Sequence, residues 1–294
     1  MLTKATQSSA NLNSLAKLIS NAGFKRLMQH DEHKKYARQV KTLLSKNGAA
    51  IEYKCSIKDL IQFSYDYLLA NYRHEYVYKS TLLNSFILKE HSLSDTVLLN
   101  EFKIGNSKAD TILVNGTNKV FEIKTELDSP ARLKSQLNDY YKGFAEVYLL
   151  VHHSLVNRYM GVIDPHVGIM AFSPLNEIEV VYRATPDVSK LDHATMLRSL
   201  RKEEYLKVVE NLIGYVPTVQ PVRLFNECLN ITKSFEAEAV QAEFLRVIKD
   251  RINCETNSIA TQANLPDYLR LACYHANLTE NDYLALTKRL NNQI

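Results

Sequence analysis

The chain has few cysteines and no long apolar run, and both shortages exclude whole classes of protein. Its four cysteines, Cys55, Cys228, Cys254 and Cys273, lie far apart, so their spacing argues against a zinc motif or a disulfide framework and predicts reduced, mostly buried thiols. No apolar run approaches the roughly 18 residues that cross a membrane. The polar start, residues 1–12, also lacks the apolar centre of a signal peptide. We therefore expect a soluble, cytoplasmic protein without a membrane partner.

A strong charge imbalance, internal repeats and low-complexity tracts are absent as well. The formal net charge is +4 over 294 residues, which permits a polyanionic partner without requiring one. The length suits one large domain or a medium-sized domain with an appendage, since domains usually have about 100–200 residues.

The apolar pattern predicts three regions, namely helical residues 1–70, a mixed core at 71–185 and helical residues 186–294. In the first region we expect a helix that ends near Gly23, a cationic helix over 31–46, and a helix capped by Ser56 with Asp59 three residues later. The cations at 31–46 are compatible with a phosphate-contacting face or with an ordinary solvated face.

The middle region predicts a fixed order of elements. A helix over 74–91 is followed by a strand over 97–104, a turn at Gly105, and two further strand-like runs. A helix is expected from Pro130 to Phe144, with proline at its first position, and then a buried strand over 145–151. Residues 168–172 and 178–183 predict another strand pair. The predicted class is therefore α/β with helical additions at both ends.

The two strand-like runs, 111–114 and 119–124, flank Asn115-Gly116, a strong signal for a tight antiparallel hairpin. Side chains alternate along a strand, so Glu122 and Lys124 are predicted to share one face. The return of the hairpin brings Asp110 beside that face. Asp110, Glu122 and Lys124 are therefore expected to converge.

This trio, spaced Asp-x11-Glu-x-Lys, resembles the active-site signature of the PD-(D/E)XK nuclease superfamily, although Ala109 replaces the proline that often precedes the aspartate. The continuation through Glu122-Ile123-Lys124, followed by an R-L-x-x-Q-x-x-x-Y pattern from Arg132 to Tyr140, is similar to a group of small bacterial nuclease-like proteins. The resemblance covers residues 72–185. It implies a restriction-endonuclease-like core of helix, three-strand meander, helix and strand.

The resemblance also implies roles for the residues. Asp110 and Glu122 would hold Mg²⁺, for which Mn²⁺ can substitute, because carboxylates are hard oxygen ligands. The backbone carbonyl of Ile123 would be a further ligand. Lys124 would lie beside the attacking water and the scissile phosphate, although on residue type alone it could be a strand-edge lysine or a simple partner of Glu122.

Further site candidates flank this trio. A further metal-linked acid is expected at either Glu101 or Glu75; Glu101 is favoured because its strand pairs with that of Asp110. Gln136 and Tyr140 would face the active site, where they would hold a phosphate or a metal-bound water. Other polar residues carry less specific expectations. Lys108 and Arg132 could contact phosphates, although Arg132 could instead pair with Asp128, and Glu126, His152 and His153 are expected to be cap or loop residues.

The leading hypothesis is a Mg²⁺-dependent deoxyribonuclease that acts in defence against foreign DNA or in DNA processing. A non-catalytic nucleic-acid-binding or protein-binding module on the same fold and an RNA-cleaving toxin are the alternatives. A homodimer, or a protein partner at the helical C-terminal region, is compatible with each of these.

Overall fold

The computed structural model describes residues 2–51, 54–93, 96–115, 118–126, 128–252 and 258–294, with side chains from residue 10 onward. Within these ranges the chain is mixed α/β and forms two compact units. A helical unit comprises Met1–Glu90 and Asn253–Ile294, and a sheet unit comprises His91–Ile252. The predicted boundaries at 70 and 185 do not coincide with these limits, and the division into three regions stays a prediction.

The elements follow one another in a simple order along the chain. The helices are α1 Leu2–Leu18, α2 Asn21–Met28, α3 His33–Lys46, α4 Ile57–Asn71, α5 Glu75–Thr81, α6 Leu88–Glu90, α7 Leu133–Tyr140, α8 Val156–Met160, α9 His193–Arg198, α10 Lys202–Ile213, α11 Pro221–Thr232, α12 Ala237–Lys249, α13 Asp267–Ala276 and α14 Glu280–Leu290. A π-helical segment, Leu82–Ile87, connects α5 and α6, and a 3₁₀ turn, His153–Leu155, precedes α8. The strands are β1 Val97–Ile104, β2 Ser107–Val114, β3 Asn118–Lys124, β4 Glu146–His152, β5 Gly168–Phe172 and β6 Ile178–Tyr182.

The six strands form one sheet in which the spatial order equals the chain order. The neighbours β1–β2, β2–β3 and β5–β6 are antiparallel, whereas β3–β4 and β4–β5 are parallel. The predicted hairpin is confirmed by the pairing of Thr111 with Phe121 and of Val114 with Asn118. Its predicted turn residue Gly116 lies outside the described residues.

Both faces of β3 are buried. Val120 belongs to a cluster formed by the sheet and the buried faces of α7 and α9–α12. Phe121, on the other face, stacks on Tyr148, with ring centroids 5.7 Å apart. Helices of the predicted C-terminal region therefore cover one face of the sheet. Glu122 and Lys124 lie on the same face of β3 as Val120, where side chains of α7 contact them.

Helix α7 is shorter than the predicted helix at both ends. It begins at Leu133 because Pro130 lies in a preceding turn, whose carbonyl accepts a hydrogen bond from the Leu133 N–H at 2.9 Å. It ends at Tyr140, after which tighter bonds such as the one from Gly143 N–H to the Tyr140 carbonyl close the last turn. Gly143 fits there because a Cβ would lie 2.9 Å from Ile104 Cδ1. Leu133, Leu137, Tyr141 and Phe144 form the buried apolar side of this segment.

The helical unit confirms one predicted cap and corrects another. Ser56 and Asp59 form a reciprocal capping box at the start of α4. Gly23, however, does not end a helix. It lies in the first turn of α2, where its N–H donates to the Ser20 Oγ at 3.4 Å, and a Cβ at this position would collide with the Leu18 carbonyl. Glycine is needed here for close packing of backbone on backbone rather than for a left-handed conformation.

The cysteines and the apolar helices can also be compared with the predictions. Cys55, Cys228 and Cys273 are free thiols, and the latter two are buried; Cys254 lies outside the described residues. Among the residues that the structure describes, no helix has the length and apolar character needed to cross a membrane.

Candidate functional site

Asp110 links the two strands of the central hairpin. It lies on β2, half-buried, and its Oδ2 atom accepts a hydrogen bond of 2.7 Å from the Ile123 N–H of β3. The N–H and C=O groups of one strand residue point toward the same neighbouring strand. The Ile123 carbonyl, the predicted ligand, therefore also faces the strand that carries Asp110.

Glu122 and Lys124 form a buried ion pair. Glu122 is 1% exposed, and its Oε1 atom lies 2.6 Å from the Lys124 Nζ atom. The same ammonium donates to the Gln136 Oε1 atom on α7 at 3.1 Å. The predicted common face of Glu122 and Lys124 is thus observed, and Gln136 completes it from the helix.

Tyr140 closes this network from the next turn of α7. Its hydroxyl donates to the Glu122 Oε2 atom and lies 3.2 Å from the backbone carbonyl oxygen of Lys108. Burial, followed by the negative charges of Glu122 and Asp110, raises the pKa of Tyr140 far above its ordinary value of 10.0. The phenol therefore stays protonated and acts as a hydrogen-bond donor. Both oxygens of Glu122 have a partner, so this buried carboxylate is satisfied.

Glu101 has a backbone conformation that is unusual for a strand. Its φ angle is +59°, in the left-handed region that L-residues avoid. The register runs from Asn100 opposite Thr111 to Phe102 opposite Ala109, which places Glu101 opposite Asp110. A carboxylate oxygen of each lies within 4.8 Å of the other. Glu101 also forms an ion pair with the Lys108 ammonium.

The strain at Glu101 can be measured by substitution. We expect Glu101→Gly to leave the free energy of unfolding unchanged or to raise it by about 1 kcal/mol, because glycine removes a left-handed penalty of about 1–2 kcal/mol and the exposed Lys108 pair contributes little. Glu179→Gly on β6, where φ is not positive, should lower the free energy of unfolding by about 0.5–1 kcal/mol. Urea unfolding of both variants gives the comparison. Equal losses would show that Glu101 is unstrained.

Two other predicted residues, Arg132 and Glu75, lie at the starts of helices. Arg132 is exposed at the start of α7, and the Asp128 carboxylate accepts hydrogen bonds from the Thr125 N–H and Oγ1, both at 2.8 Å, instead of pairing with Arg132. Glu75 begins α5 in the helical unit, where it forms an ion pair with Lys79. The phosphate role of Arg132 and the metal role of Glu75 stay predictions.

The remaining polar candidates cap or pair locally. His152 ends β4, where its Nδ1 atom shares a hydrogen bond of 2.8 Å with the Ser154 hydroxyl, and its Nε2 atom lies 3.8 Å from Glu126. His153 begins the 3₁₀ turn. Both histidines are at the end of a strand, as expected.

Asp139 is a residue that the sequence reasoning missed. From α7 it accepts hydrogen bonds from the Asn106 N–H at 3.1 Å and the Ser107 hydroxyl at 2.8 Å, both at the β1–β2 turn. Lys142 lies 2.7 Å from its other oxygen, and these donors hold the pKa of Asp139 below its ordinary value although burial opposes them. The only sequence signal was its position directly before Tyr140. Asp139 thus fixes the turn that directly precedes Lys108 on β2.

The donor set fits a hard divalent cation in part. Asp110, half-buried, and Glu101, exposed, bring carboxylate oxygens together, and water can reach this site, which suits Mg²⁺ because it keeps several waters when bound. The two oxygens of Glu122 are instead taken by Lys124 and Tyr140. Glu122 would have to exchange one of these hydrogen bonds before it could act as a ligand.

Comparison with known proteins places the chain in a family. The family model described as Bacteriophage P4 protein cII matches residues 69–268, which is more than half of the chain. This chain belongs to that family. The matched range includes every residue of the candidate site, from Glu75 to Tyr140.

Two individual proteins are similar to parts of the chain. Protein cII of Enterobacteria phage P4 is 25% identical over 220 residues, which are 72% of this chain and 78% of the phage protein. A solved structure of a protein of unknown function from Silicibacter pomeroyi covers 32% of this chain at 14% identity with a TM-score of 0.27. This chain matches 62% of that structure's length, and so low a score carries no argument about the fold. Neither description states an activity.

Proposed function

We propose that this member of the cII family is a metal-dependent nuclease that hydrolyses DNA phosphodiester bonds on a restriction-endonuclease-like core. The observation that carries the proposal is the buried Glu122–Lys124 pair beside Asp110, in one network with Gln136 and Tyr140. Burying an ion pair costs several kcal/mol of desolvation per charge before its partners offset it. Interacting ionisable side chains of this kind, at the end of a hairpin opposite its turn, are more typical of a catalytic site than of a purely structural cluster.

The order of elements supports the proposed core. Three antiparallel strands, β1 to β3, are followed by α7 and then by β4, which is parallel to β3. A helix, α5 to α6, precedes them in the chain. This is the order that the resemblance of residues 72–185 implied.

Asp110 and Glu101 are the groups that would hold Mg²⁺ or Mn²⁺. The metal would polarise a phosphate oxygen and lower the pKa of a bound water. Side chains of the protein would position the reacting groups. Gln136 and Glu122 hold the Lys124 ammonium in place. This ammonium can donate a hydrogen bond to the attacking water or to a phosphate oxygen as negative charge develops. Tyr140, kept protonated by burial, holds Glu122 in place.

The test is cleavage of supercoiled plasmid, linear DNA and folded RNA with Mg²⁺, Mn²⁺ or EDTA. Asp110→Asn is the sharpest variant because it removes the negative charge but keeps an oxygen that can accept from the Ile123 N–H. We expect wild-type cleavage with either metal, none with EDTA, and a loss of at least about a hundredfold in Asp110→Asn. Lys134→Ala, an exposed position on α7, is the control and should cleave normally.

A second candidate function is a non-catalytic nucleic-acid-binding or protein-binding module. The observation that favours it is the closed hydrogen bonding of Glu122, whose oxygens both have partners inside the protein. Binding of DNA without cleavage under any metal would support this module and overturn the nuclease. Cleavage of RNA alone would support the RNA-cleaving alternative.

A further inference from the structure

The helical unit has a groove between α1 and α3 whose cations were not assigned to any role. The α1–α3 groove, of about 540 Å³, is lined by Ser14, Lys17, Leu18, Lys35, Arg38, Gln39, Thr42, Leu43 and Lys46. Four of these nine residues are cationic and none is acidic. We propose that the α1–α3 groove binds the phosphate backbone of a nucleic-acid strand.

The walls of this groove are fixed by the packing of the two helices. Leu15 of α1 and Val40 and Leu44 of α3 are fully buried, and the Tyr36 hydroxyl of α3 donates to the Leu18 carbonyl of α1 at 3.0 Å. The groove is therefore a rigid feature of the unit and does not depend on the conformation of a loop.

The cations follow the length of α3. Lys35, Arg38 and Lys46 are separated by three and eight residues, so they extend over about 16 Å at a rise of 1.5 Å per residue. One strand of duplex nucleic acid carries a phosphate about every 3.4 Å along the axis. A row of this length can face several successive phosphates, and a single small anion would use only part of it.

The ion pairs in the helical unit neutralise little of the positive charge that lines the groove. Lys35 lies 3.3 Å from Glu32, which also pairs with Arg26. Among the described residues, Lys17, Arg38 and Lys46 form no ion pair with an acidic side chain. All three side chains are exposed, so phosphate contact would not require a buried charge to be uncovered.

The floor of the groove favours nucleic acid over a simple anion. Leu18 and Leu43 also line the groove, and the alkyl stems of lysine and arginine extend such an apolar surface. A sugar-phosphate strand offers both anionic and apolar surface to such a lining. The groove has no aromatic side chain, so base stacking and strong sequence preference are not expected.

The experiment measures binding of fluorescent 20-nucleotide single strands and 20-base-pair duplexes to the full chain in EDTA. Arg38→Glu/Lys46→Glu reverses two groove cations. Lys25→Glu/Lys288→Glu reverses two exposed cations of the same unit outside the groove, and both changes lower the net charge of +4 to zero. Circular dichroism checks that each variant is folded.

We expect Kd to rise at least tenfold in the groove variant and less than about twofold in the control. The slope of log Kd against log salt should fall by about 2 in the groove variant, since two phosphate contacts are lost. Equal weakening in both variants would overturn the groove in favour of a net-charge effect. Failure of the wild type to bind, or equal binding to polyglutamate or phosphatidylserine vesicles, would also overturn it.

This inference does not rest on the proposed cleavage activity. Asp110→Asn should keep the binding that depends on the groove, whether or not the wild type cleaves DNA. If the wild type binds DNA through the groove but does not cleave it, only the nuclease proposal is overturned. If the wild type cleaves DNA and the groove variant binds as tightly as the wild type, only the groove proposal is overturned.

Discussion

Replacement of Lys124 by methionine is expected to lower the free energy of unfolding by about 3–5 kcal/mol, because it leaves the Glu122 carboxylate buried without its cation. The same change should reduce DNA cleavage by at least about a hundredfold, since the ammonium that contacts Glu122 and Gln136 is lost. Urea unfolding and plasmid cleavage measure the two effects separately.

The double variant Glu122→Gln/Lys124→Met separates stability from activity. It removes both charges, and the amide oxygen introduced at position 122 can still accept from the Tyr140 hydroxyl, so we expect stability to return to within about 1 kcal/mol of the wild type. Cleavage should stay absent. A stable double variant that cleaves normally would show that Lys124 has only a structural role.

Lys119 provides the matched control on the same strand. It pairs with Glu146 at 3.2 Å, and both side chains are largely buried. We expect Lys119→Met to reduce stability without affecting cleavage. A comparable loss of cleavage would indicate that any disturbed ion pair on β3 inactivates the protein, which would contradict a specific role for Lys124.

Acidification is expected to destabilise the helical unit through His275 on α13. Burial, and then the neighbouring positive charge of Lys79, lowers the pKa of His275 from 6.5 to about 4. Its Nε2 atom is buried without a hydrogen-bond partner among the described residues. The unfolded chain therefore binds a proton at a pH where the folded chain does not.

The direction of the effect follows from these two values. Stability from the neutral imidazole is fully present above about pH 6.5 and is lost as the pH falls toward 4, by up to about 3 kcal/mol. His74, whose pKa is also lowered mainly by burial, acts in the same direction. Urea unfolding at pH 7, 5.5 and 4.5 should show this loss in the wild type and a smaller one in His275→Gln.

An exposed histidine is the control for this measurement. The His30 side chain is 90% exposed, so His30→Gln should follow the wild type at every pH. If His275→Gln and the wild type lose stability in parallel, another group causes the acid sensitivity.

Several elements could be predicted from local sequence because local rules determine them. The bounds of β1, the antiparallel hairpin and the Ser56–Asp59 capping box depend on alternation, turn residues and hydrogen bonds within four residues. The common face of Glu122 and Lys124 follows from the same alternation. These features needed no information from distant parts of the chain.

Other features depend on contacts that no local pattern reveals. Tyr140 is fully buried, and its hydroxyl donates to Glu122, eighteen residues earlier, so its position depends on a contact between α7 and β3. The turn-holding role of Asp139 likewise depends on partners in another element. No local pattern predicts the left-handed backbone of Glu101. Helix α7 begins three residues later than the position of Pro130 predicts, because Pro130 lies in the turn that precedes the helix.

The discontinuity of the helical unit bears on the order in which the two units can form during synthesis. The sheet unit is a single stretch whose strands leave the ribosome in the order in which they pair, so it can grow by adding each strand to the last. The helical unit, in contrast, needs its last residues. The Tyr76 hydroxyl donates to the Tyr268 carbonyl at 2.8 Å, and the Tyr268 hydroxyl donates to the Lys58 carbonyl at 3.0 Å. Helices α4 and α5 therefore cannot complete these contacts until α13 has been synthesised, after the whole sheet unit.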